Sequence, residues 1–169
     1  MNTSLFPNQE LFSTLAGTNI YILNGEYWRL ITPIFIHVAF AHVLFNSFSL
    51  ILFGPALERA LGKGLFIIAY IGSGIGANIA TLMIKPPYYT HIGASGAIFG
   101  LFGIYLAVLL FNKHAMPFYG KQVILPMVAI SVIMTFFSPN VNIIGHLFGL
   151  ASGFIIGRII LQFKSIHFH

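Results

Sequence analysis

Two residues that can act together as a nucleophile and a base stand out in an otherwise apolar chain. Ser95 opens a long apolar run in the segment Gly-Ala-Ser-Gly, and His146 lies early in a second apolar run. Polar side chains cost free energy inside a membrane, so they are rare there unless they serve a function. A hydroxyl and an imidazole at matching depth therefore predict nucleophilic catalysis by a serine–histidine dyad.

Two further side chains can stabilise the negative charge that such a reaction creates on the substrate oxygen. His42 and Asn46 are four residues apart, so they share one face of a predicted helix and can both donate hydrogen bonds. The amides at the start of the Ser95 helix have no helical partner and are further donors. On a helix, His37 is turned by about 140° from His42, so we expect it to be structural or to line a cavity.

Other hydrolytic chemistries lack the residues that they need. The chain has no cysteine and no aspartate, and all three glutamates lie in predicted loops or tails: Glu10, Glu26 and Glu58. Metal hydrolysis is the main competitor, because four histidines could approach one ion: His37, His42, His91 and His146. There is no His-Glu-x-x-His motif and no evident carboxylate base, so we predict neither a metal nor another cofactor. Aspartyl chemistry and a serine–histidine–aspartate triad are impossible.

The composition places the chain in the membrane class. Of its 169 residues, 57% are hydrophobic and 7% are charged, and the mean hydropathy is +0.90. This length holds about five or six membrane-spanning helices, so we predict one domain with the lipid bilayer as its surroundings. The net charge of +5 comes from lysines and arginines scattered in short loops, which indicates membrane topology and not nucleic-acid binding.

Apolar runs separated by glycine and proline turns predict an all-α polytopic membrane protein. We expect an external loop region over 1–33 without a cleavable signal peptide, a bundle over 34–162 and a cytoplasmic tail over 163–169. Five membrane-spanning helices are predicted: Ile34–Leu57, Gly64–Met83, Ser95–Phe111, Val123–Phe137 and Asn142–Gln162.

The basic residues predict how these helices are oriented. Six of the eight lie at one end of the predicted bundle, which should therefore be cytoplasmic, as should the carboxyl end. Helices one, three and five then begin at the outer face, where His42, Ser95 and His146 converge. The Ser95 helix spans only about 25 Å of a core of about 30 Å, so its first turn should lie below the surface beside a wet cavity.

Glycines at helical spacing predict that the third and fifth helices touch. Gly96 and Gly100 lie on one face of the third helix, and four glycines at four-residue intervals line the fifth: Gly145, Gly149, Gly153 and Gly157. Close packing of these faces would bring Ser95 within reach of His146, although glycine ladders usually serve packing alone. Ser152, in a second Ala-Ser-Gly segment, has no histidine predicted near it.

Taken together and in order, four motifs resemble the rhomboid family of intramembrane serine proteases. The resemblance runs from Glu26 to the carboxyl end through these motifs: His37-x4-His42-x3-Asn46, Gly54-Pro55-Ala56-Leu57-Glu58, Gly93-Ala94-Ser95-Gly96 and Gly145-His146-x2-Gly149. It implies that Ser95 is the nucleophile and His146 the general base. It also implies that His42, Asn46 and the Ser95 amide bind the oxyanion.

The resemblance further implies a rhomboid-like bundle in a bacterial plasma membrane, with Gly93, Gly96 and Gly149 packed around the active site. Substrates would be membrane proteins cut near or within a transmembrane helix. The family core has six helices, but no run of about 18 apolar residues fits within 1–27, so we expect five of them here. Phe99 stands where many members have tyrosine, and its ring can still stack on His146.

Two other functions remain open at this point. A non-catalytic member of the family would bind transmembrane helices without cutting them. A small transporter would use its histidines and asparagines to line a polar pathway through the membrane.

Overall fold

The computed structural model describes residues 9–112, 114–115, 118–138, 141–164, 166 and 168. Within these residues the chain forms seven α-helices: α1 (Gln9–Leu15), α2 (Asn19–Leu23), α3 (Phe40–Leu61), α4 (Lys63–Ile84), α5 (Ser95–Phe111), α6 (Phe118–Phe137) and α7 (Ile143–Phe163). Two 3₁₀ turns, Tyr27–Leu30 and Thr32–Phe35, precede α3. A two-residue antiparallel pair joins β1 (Gly17–Thr18) to β2 (Thr90–His91), with Gly17 opposite His91.

The predicted all-α polytopic membrane fold is confirmed. By length and composition, α3, α4 and α7 can each cross a membrane. Two shorter apolar helices accompany them, namely the 17-residue α5 and the part of α6 over Lys121–Phe137. Because α5 is too short for a full bilayer core, its ends must lie within the thickness that its longer neighbours span.

The largest difference from the predicted helix bounds is in α3. Helix α5 has the predicted bounds, and α4 and α7 differ from them by one residue at each end. Helix α3, however, begins at Phe40 instead of Ile34, because Thr32–Phe35 forms a 3₁₀ turn around Pro33 and the chain is then extended at Ile36. It also runs on to Leu61, so Glu58 lies in its last turn and not in a loop. Glu10 likewise lies in a helix, α1.

Helix α5 lies at the centre of the bundle, where α4, α5 and α7 all pack on one another, and eleven of its 17 residues are buried. The glycine ladder of α7 packs directly on its backbone, since a Cβ atom on Gly149 or Gly153 would collide with the carbonyl of Gly96 or Gly100. The predicted glycine-to-glycine contact is therefore confirmed. It brings together the two helix starts that carry Ser95 and His146.

Helices α3 and α6 flank this centre and are held more lightly. Four of the 22 residues of α3 are buried, and the Tyr105 hydroxyl of α5 donates a hydrogen bond of 2.7 Å to the Phe53 carbonyl within it. At the far end, Lys164 Nζ, just after α7, donates to the Leu61 carbonyl at 2.6 Å. The carboxyl ends of α3 and α7 thus meet at the same end of the bundle.

The segment before α3 covers the opposite end, where α3, α5 and α7 begin; we call this the site end. The buried Arg29 guanidinium donates to the carbonyls of Ser13 and Ala16 at 2.6 and 2.7 Å and pairs with Glu26. Asn19 Nδ2 donates to the Lys85 carbonyl just beyond α4. These bonds satisfy backbone groups that would otherwise be orphaned near lipid.

Candidate active site

The packing of α5 against α7 brings Ser95 and His146 to adjoining positions. Ser95 is the first residue of α5, and His146 lies in the first turn of α7. An added Cβ atom on Gly96 would lie 3.5 Å from the Gly145 carbonyl oxygen. The backbone just after Ser95 therefore meets the backbone just before His146. Both side chains are half-buried, so each keeps some access to the space outside the core.

The start of α7 is fixed by Asn142, a residue that sequence reasoning did not assign to the site. Its Oδ1 accepts a hydrogen bond of 3.0 Å from the Gly145 amide and caps the helix. Its Nδ2 donates to the Thr81 hydroxyl of α4 at 2.9 Å. An asparagine just before an apolar helix is a recognisable capping signal, but its bond to α4 is visible only in the structure.

The His146 ring is held on two sides. It stacks on Phe99, one turn after Ser95 on α5, with ring centroids 4.1 Å apart and ring planes at 17°. This is the contact expected from the aromatic residue at that position. On its edge, His146 Nδ1 lies 2.9 Å from the Thr135 hydroxyl of α6. Nε2, the other ring nitrogen, forms no hydrogen bond with the described residues.

The predicted bond between nucleophile and base is not formed in this structure. Within the part of the chain that the structure describes, the Ser95 hydroxyl has no hydrogen bond, either to His146 or to another group. Catalytic hydrogen bonds of free enzymes often tighten only when substrate is bound. The adjoining helix starts bring the two residues together, and the dyad itself stays a prediction.

His42 and Asn46 face the loop that leads into Ser95. This loop turns at Gly93, whose φ of +108° is a conformation that favours glycine. A Cβ atom there would lie 2.5 Å from His42 Cε1 and 3.6 Å from Asn46 Nδ2. The loop therefore passes directly beside both side chains. The two candidate oxyanion donors thus lie next to the loop that carries the candidate nucleophile, and their role stays a prediction.

The prediction that His37 points away from His42 is wrong, because α3 begins at Phe40 and His37 is not on a helix. The two imidazole rings meet edge to face with centroids 4.9 Å apart. The Ala94 amide, which can only donate, lies 3.5 Å from His37 Nε2, so this nitrogen accepts, and Asn46 Nδ2 donates to it at 2.8 Å. Burial, with a smaller contribution from His42, lowers the pKa of His37 below 6.5, which favours this neutral form.

His91 lies apart from these residues, in the strand pair. Its ring packs over Gly17, and neither of its nitrogens has a hydrogen-bond partner among the described residues. Burial lowers its pKa to about 4. In the described ranges, no three histidine or acidic side chains come together as metal ligands do. Glu58, sixteen residues after His42, lies about 24 Å along α3 from it.

The part of the chain that carries these candidate site residues is similar to known proteins. The family model described as the rhomboid domain matches residues 24–163. The rhomboid-type protein YdcA of Bacillus subtilis (strain 168) is 49% identical over 152 residues, which cover 90% of this chain and 76% of YdcA. Rhomboid protease GluP of the same organism is 40% identical over 140 residues, or 82% of this chain and 27% of GluP.

A more distant relative is rhomboid-like protease 2 of Toxoplasma gondii, 32% identical over 161 residues that cover 90% of this chain and 57% of that protein. The family model spans more than four-fifths of the chain, including all five long helices and every candidate site residue. On these grounds the chain is a member of the rhomboid family and an integral membrane protein.

Proposed function

We propose that this protein is an intramembrane serine endopeptidase that cuts transmembrane segments of other membrane proteins. The observation that carries the proposal is the backbone contact between α5 and α7, which joins the helix starts of Ser95 and His146. The names of the relatives GluP and rhomboid-like protease 2 describe proteases and support the same activity.

In the proposed reaction, the Ser95 oxygen attacks the carbonyl carbon of the scissile peptide bond, and His146 Nε2 takes the hydroxyl proton. Collapse of the tetrahedral intermediate breaks the carbon–nitrogen bond, and His146 returns the proton to the leaving amine. A water molecule then hydrolyses the acyl-enzyme by the same steps. Nε2 suits this role because it has no hydrogen bond with the described residues and Nδ1 is engaged by Thr135.

The oxyanion would lie between α3 and the start of α5. Asn46 Nδ2 has two hydrogens, of which one binds His37, so the second remains for the substrate oxygen. His42 lies against Gly93 and can supply another donor. The first helical hydrogen bond of α5 runs from the Ile98 amide to the Ala94 carbonyl, so the amides before Ile98 have no helical partner and can donate to the oxyanion. They also lie at the positive end of the helix dipole.

The charge distribution supports a cytoplasmic carboxyl end. Arg59, Lys63 and Lys164 lie at the end where α3 and α7 finish. Arg29 and Lys85 are the only lysine or arginine residues at the site end among the described residues, and Arg29 is buried and hydrogen-bonded to protein groups. We therefore propose that the site opens toward the outer face of a bacterial plasma membrane.

The test is cleavage of a membrane-anchored reporter by the purified protein in liposomes. Ser95→Ala and His146→Ala should each lower the rate by at least about 10³-fold, and each should abolish labelling by a serine-directed fluorophosphonate. Ser152→Ala is the matched control, since Ser152 packs near Gly76 of α4 and lies away from the site.

Two results would contradict this proposal. Unchanged cleavage by Ser95→Ala would remove the nucleophile. Capture of the reporter by a folded wild-type chain that never cuts it would instead favour a non-catalytic role in binding transmembrane helices.

A further inference from the structure

The buried hydroxyl of Thr135 lies between two groups that compete for its single hydrogen. Thr135 is 2% exposed, so its side chain is almost fully enclosed by the protein. Its Oγ1 lies 2.9 Å from the Ser131 carbonyl, one turn earlier on α6, and 2.9 Å from His146 Nδ1 on α7. Both distances are ordinary for hydrogen bonds.

Hydrogen counting decides which group donates in each contact. The Ser131 carbonyl can only accept, so the hydroxyl hydrogen of Thr135 points to it. The hydroxyl then has only lone pairs left for His146, which must carry its hydrogen on Nδ1. In the opposite arrangement Thr135 would donate to Nδ1 and lose Ser131, and the hydrogen on Nε2 would have no acceptor among the described residues. The first arrangement forms two hydrogen bonds and the second only one.

We infer that Thr135 is a positioning residue that holds His146 in the tautomer with hydrogen on Nδ1, leaving Nε2 free to act as the base. The inference rests on the proposed function and extends it to α6, which carries none of the predicted site residues. A hydrogen bond to one ring nitrogen determines which nitrogen is protonated. The chain has no aspartate for this purpose, and its three glutamates are not bonded to His146.

Stacking and hydrogen bonding together determine the orientation of the His146 ring. Phe99 fixes the plane of the imidazole, and Thr135 fixes its rotation within that plane. Because the two contacts come from α5 and α6, the base is aligned only while α6 stays docked on α7. The hydrogen bond between Thr135 and His146 therefore makes the alignment of the base depend on the position of α6.

The first experiment reads the tautomer directly and needs no activity. Protein labelled with ¹⁵N-histidine and carrying Ser95→Ala is studied by NMR above the ordinary pKa of histidine, with His146→Ala used to assign the signals. We expect a protonated Nδ1 and an unprotonated Nε2 on His146. Thr135→Val, of nearly the same shape, should move hydrogen to Nε2, whereas Thr135→Ser should not. An unchanged spectrum in Thr135→Val would overturn the inference.

The second experiment measures cleavage by the wild-type Ser95 enzyme. Thr135→Val should lower kcat by about 10- to 100-fold, with KM changed by no more than about twofold. Thr135→Ser should restore most of the rate. The matched control is Ser73→Ala, which removes a buried hydroxyl with the same bond to a carbonyl four residues earlier but no histidine contact.

The outcomes separate the two proposals. If Thr135→Val cuts at the wild-type rate, or if Thr135→Ser loses as much activity as Thr135→Val, Thr135 does not position the base. If the wild-type protein itself does not cut, the proposed function fails, and the NMR spectra still decide whether Thr135 sets the tautomer.

Discussion

The three helices at the centre of the bundle and the two at its flanks are held by different means. In the centre, α5 and α7 meet backbone to backbone through glycines. The flanking helices α3 and α6 rely on a few buried side chains and on one or two hydrogen bonds each. The proposed nucleophile and base lie on the central helices, whereas His42, Asn46 and Thr135, whose side chains are proposed to assist them, lie on the flanks. The tightest backbone packing and these assisting side chains thus lie on different helices.

Gly149→Val should have the largest effect, because it attacks the centre. Its side chain would collide with the Gly96 carbonyl, a backbone atom that cannot move aside, so we expect a loss of more than about 4 kcal/mol in unfolding free energy. Unfolding of the helices by denaturing detergent, followed by circular dichroism, measures this. Gly64→Ala is the control, since its Cβ atom would meet open space. Wild-type stability of Gly149→Val would show that the glycine contact is not what holds the centre together.

His42→Ala tests the role of the flanking helix α3, and it should lower the cleavage rate while the protein stays folded. Loss of one oxyanion donor typically lowers kcat by about 10²- to 10³-fold, and KM should change far less. Phe45→Ala on the same helix is the control, because Phe45 is 69% exposed on the outside of α3. Kinetics on the membrane-anchored reporter measure both variants. Full kcat in His42→Ala would remove His42 from the proposed oxyanion site.

Acid should loosen the strand pair at the site end before it affects the helices. Burial lowers the pKa of His91 to about 4, whereas in the unfolded chain His91 titrates near 6.5. Between these values the unfolded state binds a proton that the folded state does not. Stability is therefore full above about pH 6.5 and falls as the pH drops toward 4, by up to about 3 kcal/mol.

His91→Gln removes the titrating group, so it should flatten this pH dependence whatever its effect at neutral pH. Hydrogen exchange at Gly17 and Thr18 follows the strand pair, and detergent unfolding follows the bundle. The same slope in the variant as in the wild-type protein would assign the acid sensitivity to other groups.

Tyr105→Phe should have the smallest effect on stability, and it tests the hydrogen bond that joins the central helix α5 to the flanking helix α3. It removes the hydroxyl that donates to the Phe53 carbonyl, which should cost about 1 kcal/mol and increase hydrogen exchange in α3 more than in α7. Tyr70→Phe is the control, because the Tyr70 hydroxyl has no hydrogen bond in the described ranges. Equal effects of the two variants would show that this bond does not tether α3.

The glycine centre could be predicted from sequence because its pattern is local and its physics is simple. Four glycines at four-residue intervals define a smooth face, and a second glycine face on α5 is the natural partner. The start of α3 could not be predicted in the same way. Ile34 and Phe35 are apolar, and hydropathy does not distinguish an apolar helix from an apolar 3₁₀ turn around Pro33.

The candidate site likewise contains residues that could be predicted from sequence and one that could not. Serine, histidine and asparagine stand out in apolar runs, so Ser95, His146, His42 and Asn46 could be found from their types and spacing. Thr135 could not, because a threonine in a helix usually bonds only to its own backbone, as Thr135 also does to Ser131. Its second partner is eleven residues away on another helix, and only the tertiary arrangement of α6 and α7 brings the two together.

The light attachment of α6 predicts how the protein responds to heat. Three of its residues from Lys121 onward are buried, namely Ile124, Val128 and Thr135, so its detachment should require less free energy than separation of α5 from α7. Warming would then release Thr135 from His146 while the other spans remain helical. Reversible thermal inactivation should accordingly set in several degrees below the calorimetric melting transition.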